Sequence, residues 1–128
     1  MEENLKLIEK LDCQQGAVRA VRFNTDGDYV ITCGSNKTIR LWTSVISKEL
    51  NNQKRPKLLT TYAGHGNEVL DARGSCDNGQ IVSCGLDKAV ILWDVGSGKV
   101  LRYVTRRSCP DIKDIYYHLK YLELKFYH

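Results

Sequence analysis

Two tryptophans, Trp42 and Trp93, close two segments that superpose without a gap when the chain is shifted by 51 residues. With Gln14–Trp42 laid on His65–Trp93, eight of the 29 pairs are identical: Val18/Val69, Arg22/Arg73, Asp26/Asp77, Cys33/Cys84, Gly34/Gly85, Lys37/Lys88, Leu41/Leu92 and Trp42/Trp93. Ordinary composition would give roughly two. Others keep chemical type, as Thr32/Ser83, Asn36/Asp87, Val30/Ile81 and Ile39/Val90 do. A chain that repeats itself is built from stacked copies of one supersecondary unit. Each copy must bury a face against its neighbour, because one unit alone cannot close a core.

Each copy reads as short strands separated by turn signals. Val18–Asn24 carries apolar residues at near period two, and Asp26-Gly27 and Asp77-Asn78-Gly79 are turn sequences. Tyr29–Cys33 and Gln80–Cys84 are second strands. The tight turns Gly34-Ser35-Asn36-Lys37 and Gly85-Leu86-Asp87-Lys88 lead into third strands, Thr38–Trp42 and Ala89–Trp93. Fourth strands follow at Lys57–Tyr62 and Lys99–Val104, and the same shift makes Lys6–Lys10 an equivalent strand ahead of the first copy. Turns every 8–12 residues with no helical period argue all-β antiparallel units. The loop Thr43–Pro56 replaces the short Asp94–Gly98 turn of the second copy, and matching Lys57 to Lys99 gives a unit near 42 residues. Four strands in about 40–45 residues ending in Trp-Asp is the signature of a propeller blade.

Composition narrows the class further. An apolar fraction of 42% is ordinary for a globular chain. The five cysteines, at 13, 33, 76, 84 and 109, are odd in number and lack a C-x-x-C pair, so neither a disulfide framework nor a zinc site is indicated. Cys33 and Cys84 are repeat-equivalent and read as small packing residues in a reducing compartment. The start MEENLKLIEKLD has no apolar h-region, and no run approaches membrane length, so the expectation is a cytoplasmic and nuclear protein. The net charge of +4 sits in residues 43–57 and 105–128, leaving the repeat body about neutral. Direct nucleic-acid contact is therefore not the leading expectation.

At Gly64-His65 and Trp93-Asp94 the pattern GHGNEVLDARGSCDNGQIVSCGLDKAVILWD resembles a WD-repeat blade. QQGAVRAVRFNTDGDYVITCGSNKTIRLWT is similar to a weaker copy, with Gln14 for the histidine, Asn36 for the turn aspartate and Thr43 for the final aspartate. The strings GAVRAVRFN, TCGSNKTIRLW, GHGNEVLDA and SCGLDKAVILWDV are similar to the mitogen-activated protein kinase organizer subfamily, also called WD repeat domain-containing protein 83. The resemblance covers residues 5–104 and stops where a third Gly-His would fall, at Arg106-Arg107. The expected architecture is all-β: residues 1–104 form two four-stranded antiparallel blades of an incomplete propeller. The first is about 14–62 with the loop 43–56, and the second about 65–104. Residues 105–128 are a divergent tail whose pattern fits helix or strand equally, as in a truncated form.

His65, Ser83 and Asp87 are also the residue types of a hydrolase triad. The resemblance instead implies a structural tetrad with Trp93, in which His65 bridges Ser83 and Asp87 and Ser83 meets the indole N–H. The first-blade counterpart would be Gln14, Thr32, Asn36 and Trp42. No oxyanion-hole signature, G-x-G-x-x-G string or P-loop accompanies these residues. A non-catalytic protein-binding scaffold is thus expected, with no metal, cofactor, small-molecule substrate or membrane. The resemblance implies kinase-cascade components and the spliceosome as partners. The alternatives are a Ser83/His65/Asp87 hydrolase and an RNA-binding platform using the basic loop and tail.

Loops before the first strand and between the second and third share one propeller face, and loops on a rigid scaffold carry recognition. This makes Gln15, Ser35, Lys37, Asn67, Glu68, Leu86 and Lys88 the candidate partner-binding residues. With two blades, the flank bearing Val82, Val90 and Leu92 would be covered on one side only, leaving it wet and apolar unless the tail aromatics Tyr116, Tyr117, Tyr121, Phe126 and Tyr127 or another chain cover it.

Overall fold

The structure, a computed structural model, describes residues 10–44 and 56–105. The expected strand at Lys6–Lys10, apart from Lys10, falls outside that range. So do the interior of the long loop and the tail beyond Thr105. Eight strands are formed, β1 (Val18–Phe23), β2 (Tyr29–Gly34), β3 (Thr38–Thr43), β4 (Leu58–Ala63), β5 (Val69–Gly74), β6 (Gln80–Gly85), β7 (Ala89–Asp94) and β8 (Val100–Thr105). They make two four-stranded meanders, β1-β2-β3-β4 and β5-β6-β7-β8, all antiparallel. The shift of 51 holds throughout β1–β3: Val18 pairs with Gly34 as Val69 pairs with Gly85, and each first strand is interrupted by an irregularity at that point. Two blades, all-β and helix-free among the described residues, are what the turn spacing calls for.

The faces alternate as period-two strands require. One face of the first blade (Ile31, Cys33, Ile39) packs on one face of the second (Ile81, Ala89, Ile91, Trp93), with Val69, Ala72 and Tyr62 completing a single buried cluster. Tyr62 on β4 reaches across, its ring 5.7 Å from that of Trp93 in an edge arrangement and its hydroxyl donating to the Val95 carbonyl at 3.1 Å. β4, the outer strand of the first blade, thus covers the tryptophan of the second. Val104, at Tyr62's place by the 42-residue match, is exposed, as is all of β8.

Polar pairs lock the same interface. Arg22 Nε and Nη2 meet Asp71 Oδ1 and Oδ2 at 3.2 and 2.9 Å, a two-point pairing, and Arg19 holds Glu68 Oε1 at 2.9 Å. A two-point Arg–carboxylate pair fixes orientation as well as attraction. Burial, helped by Asp71, pushes the Cys33 and Cys84 thiols up to about 12. Both are inert packing residues at physiological pH, and Cys13, Cys33, Cys76 and Cys84 are all unbridged. Val82 (1% exposed), Cys84 and Val90 on the far flank of the second blade are buried, with Leu92 packed against them, so of the two expected outcomes that flank is covered and not wet.

Candidate functional site

The turn joining β6 to β7 and the segment ahead of β5 bring His65, Ser83, Asp87 and Trp93 together. The Trp93 Nε1–H donates to Ser83 Oγ at 2.8 Å, and Ser83 Oγ lies 2.7 Å from His65 Nε2. His65 Nδ1 lies 3.0 and 3.2 Å from the two Asp87 oxygens. The donors fix the proton positions. An indole can only donate, so Ser83 accepts from it and gives its own proton to Nε2; the imidazole then carries its proton on Nδ1 and donates to the carboxylate. Asp87 also accepts the Gly66 and Ala89 amides at 2.9 and 3.2 Å, which ties the β4–β5 segment to the β6–β7 turn. Two glycines make room. A Cβ on Gly64 would lie 2.9 Å from the Trp93 ring, and one on Gly85 2.6 Å from the Glu68 carbonyl.

Desolvation pushes the His65 pKa below the usual 6.5, outweighing the upward pull of Asp87. A histidine whose native pKa is lowered binds fewer protons folded than unfolded. Its contribution to stability is complete above about pH 6.5 and is lost as the pH falls toward the lowered native value. The chain should therefore lose urea resistance between pH 7.5 and 5.5, and His65→Gln should flatten that slope. An equal slope in both proteins would show that His65 does not titrate in this way.

The first blade departs from the expected set. Gln14 is exposed, with a left-handed φ of 54°, and its side chain enters no bond of the network. Its neighbour Gln15 takes the histidine's place, fully buried at 0% exposure. Trp42 Nε1 donates to Thr32 Oγ1 at 2.8 Å, and Thr32 donates to Gln15 Oε1 at 2.5 Å. Gln15 Nε2 donates to the Thr38 carbonyl and hydroxyl at 2.8 and 3.2 Å, and the Thr38 hydroxyl donates to Asn36 Oδ1 at 2.6 Å. Asn36 is thus one link removed, and Thr38 is a member the sequence reading missed; Ala89 stands at its position in the second blade, where His65 reaches Asp87 directly. The cause is chain length. Two residues, Gly16 and Ala17, separate Gln15 from Val18, against three between His65 and Val69, and Gly16 at φ 69° closes the shorter path. A Cβ there would meet Ser35 Oγ at 2.3 Å.

The candidate binding residues divide accordingly. Gln15 is structural, not a surface residue. Ser35 is half-buried and its Oγ accepts the Ala17 amide at 2.8 Å, and Glu68 is held by Arg19. Lys37, Asn67, Leu86 and Lys88 are exposed, and both lysines have left-handed backbones, φ 74° and 63°. Among the described residues no group of three or more His, Cys, Asp or Glu side chains is placed to hold a metal ion.

Residues 5–43 and 56–94 match the family model described as WD domain, G-beta repeat. The chain belongs to the WD-repeat family. It is similar to WD repeat domain-containing protein 83 of Homo sapiens, 59% identical over 78 residues that cover 61% of this chain and 22% of the relative. The Xenopus laevis protein of that name is 58% identical over 76 residues, covering 59% and 21%. The Dictyostelium discoideum homolog is 30% identical over 92 residues, covering 72% and 25%. The subfamily indicated by the blade strings is therefore the one these relatives carry in their names. The chain spans between a fifth and a quarter of their length.

Proposed function

We propose that this chain is a non-catalytic protein-binding module of a WD-repeat scaffold, acting through the end of the blades that carries the β2–β3 and β6–β7 turns. The observation that carries this reading is the repeat-equivalent placement of Lys37 and Lys88. Both are exposed, both sit in a left-handed backbone that costs a non-glycine residue on the order of 1 kcal/mol, and each flanks a buried network that holds its turn rigid. Leu86, 49% exposed in the second turn, adds an apolar contact beside a cation.

The Ser83/His65/Asp87 geometry has the distances of a nucleophilic triad, and what argues against catalysis is access. Ser83 is 0% exposed, its hydroxyl is bonded to both indole and imidazole, and no carbonyl carbon has a path to Oγ. The resemblance to kinase-organizer proteins supports assembly of mitogen-activated protein kinase cascade components and association with pre-mRNA splicing, in cytoplasm and nucleus. Charge reversal of both lysines (Lys37→Glu with Lys88→Glu) should weaken co-precipitation of such kinases or spliceosomal proteins at least tenfold while the melting curve is kept. Retention of every partner by the double variant would place the interface elsewhere. Labelling of Ser83 by a fluorophosphonate would overturn the non-catalytic reading.

A further inference from the structure

The far flank of the second blade is buried by the chain itself, and the described residues do not account for its cover. Val82 pairs with Leu92 and Cys84 with Val90 across β6 and β7. Side chains alternate along a strand, so these four face away from Ile81, Ile91 and Trp93, the face on which the first blade packs. The buried group on the opposite face draws only on β6 and β7. Yet Val82, Cys84 and Val90 are buried like their first-blade counterparts Ile31, Cys33 and Ile39, which lie under a whole blade.

The cover is narrower than a blade. Tyr62, opposite Ile39 on β4, is fully buried, whereas Val104, opposite Val90 on β8, is 36% exposed. Whatever lies on the flank reaches β6 and β7 and leaves β8 uncovered.

Three stretches lie outside the described residues: 1–9, 45–55 and 106–128. Position and composition select among them. Residues 1–9 lead into Leu11 and Cys13, which pack with Val30 and Trp42 on the outer face of the first blade. Passing two sheets from there takes about 20 Å of an extended reach of about 30 Å, which leaves little chain to cover anything. Residues 45–55 are fixed at both ends to the first blade, which limits them to about 18 Å outward. Residues 106–128 continue from Thr105, which pairs with Ala89 next to Val90. From there β7 and β6 are about 5 and 10 Å away, one and two strand spacings. This stretch also carries ten Ile, Leu, Tyr and Phe residues, against three in 1–9 and two in 45–55.

We infer that residues 106–128 lie over the far flank of the second blade and take the place of a next blade there. The face on which a further blade or a second copy of the chain would stack is thereby closed. Repeat arrays need such terminal caps, because an uncovered stacking face meets the complementary face of another copy in a head-to-tail contact that does not close. The inference is independent of the lysine-bearing turns, which lie at the strand ends and not on a sheet face.

The test uses the full chain. p-Benzoylphenylalanine in place of Leu92, at the margin of the buried group, should on irradiation crosslink within the monomer to a peptide from 106–128. A crosslink to 1–9 or 45–55, or a product of dimer mass, would overturn the inference. Cysteine labelling gives a second readout, because Cys33 and Cys84 hold equivalent positions under different covers. A pulse of N-ethylmaleimide followed by peptide mapping should mark the exposed Cys76 and spare both buried thiols in the parent. Ile115→Asp, Tyr116→Asp, Leu122→Asp and Phe126→Asp together should raise Cys84 labelling at least tenfold while Cys33 stays protected under the second blade. Leu5→Asp with Leu7→Asp, and Ile46→Asp with Leu50→Asp, should leave Cys84 at the parent rate. Cys84 labelled in the parent, unmoved by the tail changes, or released by either of the other pairs would overturn the inference. If Cys33 is labelled along with Cys84, the tail variant has lost its fold, and the crosslink, read with the tail sequence intact, decides.

Discussion

Trp93→Ala should be the most damaging single substitution in the described part of the chain. The indole is 1% exposed and belongs to the one cluster that, among the described residues, contains residues of both blades, so its removal opens a cavity at the interface that holds them together. Burial loss and cavity together cost about 3–5 kcal/mol for a large aromatic. A domain of this size has about 5–15 kcal/mol at most to lose and small ones sit at the low end. Trp93→Phe separates the two contributions. It keeps most of the ring contact with Tyr62 but withdraws the N–H from Ser83, and should cost about 1–3 kcal/mol. Trp42→Ala should be milder than Trp93→Ala by about 1 kcal/mol or more, because Trp42 packs in a small cluster with Cys13 and Val30 that lies apart from the interblade core. Urea denaturation of the three variants ranks them. Equal losses at Trp42 and Trp93 would mean that the interblade cluster is not the main source of stability.

Strand existence, order and blade register were legible because the repeat fixed them twice over. Each strand of one copy recurs in the other, and the identities from Val18 onward pin the register to the residue. The second-blade network was legible for a chemical reason: a histidine, a serine, an aspartate and a tryptophan at blade spacing have few ways to satisfy one another when buried. Ahead of Val18 the repeat gives no such support. None of the four pairs from Gln14/His65 to Ala17/Glu68 is identical, so a gapless shift carried Gln14 onto His65 with nothing to hold it there. The adjacent Gln-Gly was the available signal, because a glycine at φ 69° lets a shorter segment bring the preceding side chain inward.

Contacts between blades were less legible than contacts within one. Asp71 pairs with Arg22, yet the first-blade residue at Asp71's position is Ala20, so no comparison of the copies announces the pair. Arg22 alone reads as a residue of the polar strand face.

The two adjacent glutamines give the sharpest test of the first blade. Gln15→Ala removes the acceptor for Thr32 and the donor for the Thr38 carbonyl and hydroxyl, leaving buried groups unpaired. The expected loss is about 1–3 kcal/mol. Gln14→Ala removes an exposed side chain with no bond in the network and should fall within about 0.5 kcal/mol of the parent. A gapless repeat, with Gln14 as the histidine's counterpart, demands the opposite order. Combining each with Thr32→Val decides the point. Gln15→Ala and Thr32→Val share one hydrogen bond, so their effects should be less than additive, while Gln14→Ala and Thr32→Val should add within about 0.3–0.5 kcal/mol. Additivity for the Gln15 pair together with coupling for the Gln14 pair would restore the gapless register and remove Gln15 from the core.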